Sequence, residues 1–173
     1  KDGELKPIPR TDLHELEQRY VSAADTYVSV LDDALKDPKF RKKYPNRGKM
    51  IPEIMFIAAQ VFYKHGQFKQ AVERLMVIFD LYPEHKMANV AVNTIIDAYA
   101  RLKRWEKIEG WARKLIKAKN FKVKTKSELE QMIAIAKTEY ARDLTKQRQY
   151  DKAVQVQEEI VEEFGRKNKE LAS

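Results

Sequence analysis

The chain has 173 residues, 43% hydrophobic and 35% charged, with a formal net charge of +8. That length holds one ordinary domain or a short repeat array, and five glycines with six prolines disfavour a turn-rich β sandwich. The lack of cysteine excludes a disulfide framework, a CxxC redox centre and a thiolate zinc site, and no run approaches the roughly 18 apolar residues of a membrane helix. No apolar signal segment follows Lys1, and a first residue other than Met leads us to expect an excerpt of a longer protein.

The hydrophobic pattern is helical throughout. Leu13, Leu16, Tyr20, Ala23, Tyr27, Leu31 and Leu35 recur every three or four positions and predict one stripe of a helix over about 11–36. Asp37-Pro38 should end it, because proline pushes the residue before it out of the α region. Residues 36–50 hold seven basic side chains against one acidic and read as a connector, with room for a turn of helix around Phe40. Pro52 suits a first helical turn, with Glu53 near the positive end of the dipole. That helix stops at His65-Gly66, where glycine tolerates a positive φ. The next, from Phe68, ends at Pro83, and two more are predicted at about 87–102 and 104–117. A basic, weakly periodic linker follows, then a capping box at Ser127 and Glu130 opens helices at about 127–146 and 150–170. The sum is about seven helices and no strand.

Three segments align on one another: GQFKQAVERLMVI, KRWEKIEGWARKL and RQYDKAVQVQEEI. Phe68, Trp105 and Tyr150 lead them, and positions three, seven and ten residues on form an inner face: Ala71, Leu75 and Ile78; Ile108, Ala112 and Leu115; Ala153, Gln157 and Ile160. Six residues before each aromatic stand Phe62, Tyr99 and Leu144. This pattern resembles the tetratricopeptide repeat, a helical hairpin of about 34 residues. Residues 52–85 match best, with Ala59 and Ala71 at the two small-residue crossing positions, Gly66 at the turn and Pro83 closing the unit. The aromatics are 37 and then 45 residues apart, so the later units carry insertions; Ile96, Ile108 and Lys103 replace the small residues and glycine of the second unit, predicting wider or irregular packing there. The Tyr44-Pro45, Tyr82-Pro83 and Gly66-Gln67-Phe68 spacing is similar to that of tetratricopeptide modules in bacterial outer-membrane assembly and cell-division lipoproteins, the BamD and YbgF types.

The resemblance implies an all-α, right-handed solenoid of antiparallel helical hairpins. Residues 1–50 would be an N-terminal helix and basic connector, a cap or decayed repeat, and 51–173 an array with units at about 52–85, 86–119 and 127–166. It also implies a non-enzymatic scaffold or adaptor in the periplasm or cell envelope, with a cytoplasmic home as the alternative. In such arrays the first helix of each pair lines a concave groove that takes a partner protein or peptide. Projected here, the groove falls on Glu53, Phe56, Gln60 and Tyr63, then Val90, Asn93, Asp97 and Arg101, then Thr138, Arg142 and Thr145. A two-carboxylate clamp would need Lys and Asn where Phe56 and Gln60 stand, so a carboxy-terminal chaperone peptide is not the expected ligand.

Nothing in the sequence points to catalysis or a cofactor. His14, His65 and His85 fall in no metal-ligand spacing and read as surface or capping residues, and no phosphate-binding glycine loop occurs. Glu158, Glu159, Glu162 and Glu163 lie along one helix as a solvated face rather than a cation site. Residues 101–126 carry eleven basic and two acidic side chains, with Lys103, Arg104, Lys114, Lys117, Lys119, Lys122 and Lys124 as a basic patch. Binding of nucleic acid or an anionic surface there is the alternative function; Phe121 is a candidate stacking residue, Trp111 is ambiguous and Trp105 is assigned to the helical interface.

Overall fold

A computed structural model describes residues 13–117 and 125–170, with side chains through Gly165 in the last helix. The described residues are all-helical: eight α-helices and one 3-10 turn, with no strand. The chain divides into two compact units, Lys1–Ala98 and Tyr99–Ser173. One helix more than expected comes from the basic connector, where Asp37 caps a short helix around Phe40 by accepting from the Lys39 N–H at 2.9 Å.

The first unit opens with α1 (Glu15–Ala34), started by a capping box. His14 Nδ1 accepts from the Leu16 N–H at 3.3 Å and Glu17 accepts from the His14 N–H at 3.1 Å. The short α2 (Pro38–Lys43) and the 3-10 turn Arg47–Met50 lead into α3 (Ile51–Lys64), and α4 (Phe68–Leu81) folds back on it. Ala58, Ala59, Ala71, Leu75 and Ile78 are fully buried, so the alanines let the two backbones approach while the larger side chains fill the sides. Each large one contributes on the order of 1.5–3 kcal/mol. Then α5 (Lys86–Arg101) buries Ala88, Ala91, Val92, Ile95 and Ala98 on one face, and Lys86 pairs with Glu53 of α3 at 2.7 Å.

The expected stripe of α1 is corrected. Leu13 and Leu31 are buried, but with Val21 and Ala24, whereas Leu16, Tyr20 and Tyr27 face outward. The helix carries two apolar stripes, and α3 covers the one on which Glu17 and Asp25 can reach His65 (2.7 Å) and Arg74 (2.7 and 2.8 Å).

The second unit holds α6 (Trp105–Lys117), α7 (Lys126–Lys146) and α8 (Tyr150–Glu170), with α7 packed on both of the others. The capping box of α7 sits two residues earlier than expected, on Thr125 and Glu128 rather than Ser127 and Glu130. At 21 residues α7 absorbs part of the predicted insertion; the basic linker at 118–124 lies outside the described residues.

One reversal recurs three times. Gly66, Lys103 and Arg148 adopt φ of 70°, 52° and 61°, and the next N–H donates to a carbonyl five residues back: Gln67 to Phe62, Arg104 to Tyr99 and Gln149 to Leu144, at 2.8–2.9 Å. Each left-handed residue itself donates at 3.0 Å to the carbonyl three back, completing a Schellman closure. Lys103, which replaces the glycine of the second unit, holds the same backbone at a steric cost.

Candidate functional site

The expected groove positions differ in what they leave accessible. On α3, Phe56 is buried and belongs to the core, and Tyr63 is half-buried with its ring edge-on to Phe68 at 5.3 Å, so both serve packing; Gln60 is half-buried. On α5, Val90 and Asn93 are exposed and Asp97 is half-buried. Arg101 is exposed in the second unit. On α7, Thr138 and Thr145 return their hydroxyls to the Ala134 and Ala141 carbonyls at 2.8 and 2.9 Å, and Arg142 pairs with Glu139. Gln60 and Asn93 therefore remain as the amide-bearing positions of the first unit.

The leading aromatics are equivalent in the turn and not in burial. Phe68 is 8% exposed, Trp105 is half-buried with its indole N–H donating to Asp143 at 2.8 Å, and Tyr150 is 59% exposed. The inner face of the third segment weakens likewise, since Ala153 is buried but Gln157 is exposed.

Of the basic patch, Lys103, Arg104, Lys114 and Lys117 are exposed, and Lys119, Lys122, Lys124 and Phe121 lie outside the described residues. Lys114 sits over the Trp111 ring at 4.9 Å, and Trp111 is buried, so that indole is a packing residue rather than a stacking platform. Two histidines cap helices, His14 at α1 and His85, whose Nδ1 accepts from the Met87 N–H at 3.2 Å; His65 instead is half-buried and meets Glu17 of α1, a contact between helices rather than a surface or capping role.

The second unit holds an ion-pair cluster that sequence reasoning missed. Lys137 is 8% exposed, yet its ammonium lies 2.7 Å from Glu159, 3.7 Å from Glu109 and 3.8 Å from Glu163. Arg113 bridges Glu109 and Glu163 at 2.8 and 2.7 Å. The reading of Glu159 and Glu163 as a merely solvated face is corrected, because they join α6, α7 and α8; Glu158 and Glu162 are exposed. Burial by itself lowers the Lys137 pKa, but the hydrogen bond to Glu159 and the charges of Glu109, Glu159 and Glu163 outweigh it and hold the ammonium above its ordinary value. The hydrogen bond to Glu163 likewise raises Arg113. A cleft of about 200 Å³ beside the cluster is lined by Trp105, Glu106 and Tyr140, and burial, with Glu106 nearby, raises the Tyr140 phenol. The signal lay in the period: Lys137 stands between Ile133 and Ala141 on the buried face of α7.

No family model, no curated protein and no solved structure matches this chain. Among the described residues no group of three or more His, Cys, Asp or Glu side chains could hold a metal ion, and no helix is long and apolar enough to cross a membrane.

Proposed function

We propose that the chain is a tetratricopeptide-like helical repeat that works without catalysis, holding a partner protein or peptide as a scaffold or adaptor, within a bacterial cell-envelope assembly. The observation that carries this reading is the recurrence of one backbone reversal at Gly66, Lys103 and Arg148, spaced by 37 and 45 residues and followed each time by an aromatic that opens the next helix. The buried alanines at 59 and 71 add support, since a close helix crossing is what that repeat requires of small residues. Repeats of this kind bury apolar faces against their neighbours and leave a polar face for ligands, and Gln60 and Asn93 offer amides that suit the backbone of an extended peptide. The envelope setting follows from the Tyr-Pro spacing alone.

The immobilised chain should retain a partner from an envelope extract, and Gln60→Ala with Asn93→Ala should release it without altering thermal unfolding. The same partner held equally by both forms refutes the groove. The alternative, nucleic acid or an anionic surface at Lys103, Arg104, Lys114 and Lys117, predicts binding that falls steeply with salt through counterion release, which a groove-bound peptide does not share to that degree.

A further inference from the structure

The first helix contains more apolar surface than its own unit covers. Leu16, Tyr20, Ala23, Tyr27, Val30 and Ala34 follow one another at intervals of four, three, four, three and four residues, the 3.5-residue period of a coiled-coil seam. This is a second stripe, distinct from the one packed on α3, and it is open: Leu16 is 67% and Val30 62% exposed. At its C-terminal end it runs into an apolar cleft of about 310 Å³, walled by Tyr27, Val30, Leu31 and Ala34 of α1, Phe40 of α2, Tyr44 just after it, and Arg47.

The charge toward the cleft end of this surface is mainly positive once internal pairs are set aside, with Asp32 the one exposed acid of α1 outside a pair. The acids of α1 are mostly neutralised: Glu15 pairs with Arg19, Glu17 with His65, Asp25 with Arg74 and Asp33 with Lys36. Asp37 caps α2. The cations beside the cleft have no such partners. Lys43 lies over the Tyr44 ring at 5.3 Å, Arg47 reaches the Tyr27 hydroxyl at 3.4 Å, and among the described residues Lys39, Arg41, Lys42 and Lys49 are exposed and pair with no carboxylate. An apolar seam ending in a cationic collar calls for an occupant with apolar residues in heptad register and acidic residues beside them.

We propose that this outer face of α1, with the cleft at its end, docks an acidic amphipathic helix of a partner protein in coiled-coil fashion. The open stripe runs from Leu16 to Ala34, 18 steps or about 27 Å of helix, so the partner presents roughly five turns. Gln60 and Asn93 do not line this surface, and the inference stands apart from the groove that carries them.

The probe is a labelled synthetic helix of about 20 residues with leucine at the heptad core positions and glutamate beside them, titrated with the whole chain and compared with a lysine-flanked twin. The glutamate peptide should bind at least roughly tenfold more tightly than its twin, and raising salt or introducing Lys42→Glu with Lys43→Glu should erase that preference. Val30→Glu should abolish binding while leaving thermal unfolding unchanged, because Val30 is exposed. Three results overturn the proposal: no binding of either peptide, equal binding of both, or a different occupant. Self-association dissolved by Val30→Glu would identify a second copy of this chain. Adsorption to phosphatidylglycerol vesicles, lost in the same variant while the peptides stay unbound, would identify a lipid surface.

Discussion

The helical hairpin of α3 and α4 and the bundle of α6, α7 and α8 use the same backbone reversal and both bury apolar side chains, but only the bundle adds a buried ion-pair cluster to hold its helices together. In the first, Gly66 takes the left-handed position freely, Phe68 is buried at the start of α4, and alanine, leucine and isoleucine fill the contact. In the second, Lys103 and Arg148 occupy the left-handed position, Tyr150 is exposed, and part of the contact is ionic, centred on Lys137. A turn motif therefore does not dictate the kind of core that forms behind it. The hydrogen bonds that close the turn are local, and the packing is an independent choice.

The sharpest way to break this comparison is to remove the buried cation. Lys137→Ala leaves Glu109 and Glu163 with Arg113 and takes from Glu159 its cation, and should destabilise the second unit by roughly 2–4 kcal/mol, below the full range for a buried pair because the carboxylates reach water. Denaturant unfolding measures it, and loss of amide protection confined to α6–α8 locates it. Lys137→Met, which keeps the stem, should lose less.

The matching test in the first unit overfills rather than empties. Ala71→Leu places a large side chain where there is no exposed surface at all, and should cost on the order of 1–3 kcal/mol. Unchanged stability would contradict the close crossing of α3 and α4.

Reciprocal exchanges at the turns should be smaller and of opposite sign. Gly66→Ala should cost about 1 kcal/mol, whereas Lys103→Gly and Arg148→Gly should each stabilise by up to about 1 kcal/mol by relieving a Cβ held at positive φ. Equal melting temperatures for all three variants and the parent would mean that a side chain at the left-handed position carries no cost in these turns.

The smallest expected effect is that of pH. The hydrogen bond from His65 lowers the Glu17 pKa, and that from Lys86 lowers Glu53, both beneath the ordinary value of 4.5. A carboxyl whose folded pKa is depressed stabilises above its unfolded value and loses that contribution as pH falls through the folded one. Amide protection of α1 and α3 should therefore weaken as pH falls below 4.5, and Glu17→Gln with Glu53→Gln should remove that part of the pH dependence. In alkali the sign reverses for Lys137, whose raised pKa gives a contribution complete at neutral pH and lost as pH climbs past its folded value.

Much of the helical outline could be read directly. Pro52, Gly66, Pro83 and the aromatics at the heads of α4, α6 and α8 mark ends that the structure places within a residue or two. Other features were less legible. The capping box moved to Thr125 and Glu128 because two overlapping Ser/Thr-to-Glu spacings compete there, and only one can sit at the start of the helix. The stripe of α1 was misassigned because its two apolar stripes have the same period and differ only in what lies opposite. Phe56 was placed on a ligand face by analogy of position, but its size made it core. Lys137 went unseen because a lysine between apolar residues reads as a break in the pattern until Glu109, Glu159 and Glu163, distant in sequence, are brought to it.

By itself the sequence determined that the described chain is helical, and where its helices reverse, since period, caps and turns act over a few neighbouring residues. Only the tertiary structure decided which stripe of α1 is covered and which glutamates are paired. Those outcomes depend on free energies exchanged between segments tens of residues apart, where the partner's shape and charge, and not the local pattern, set the sign.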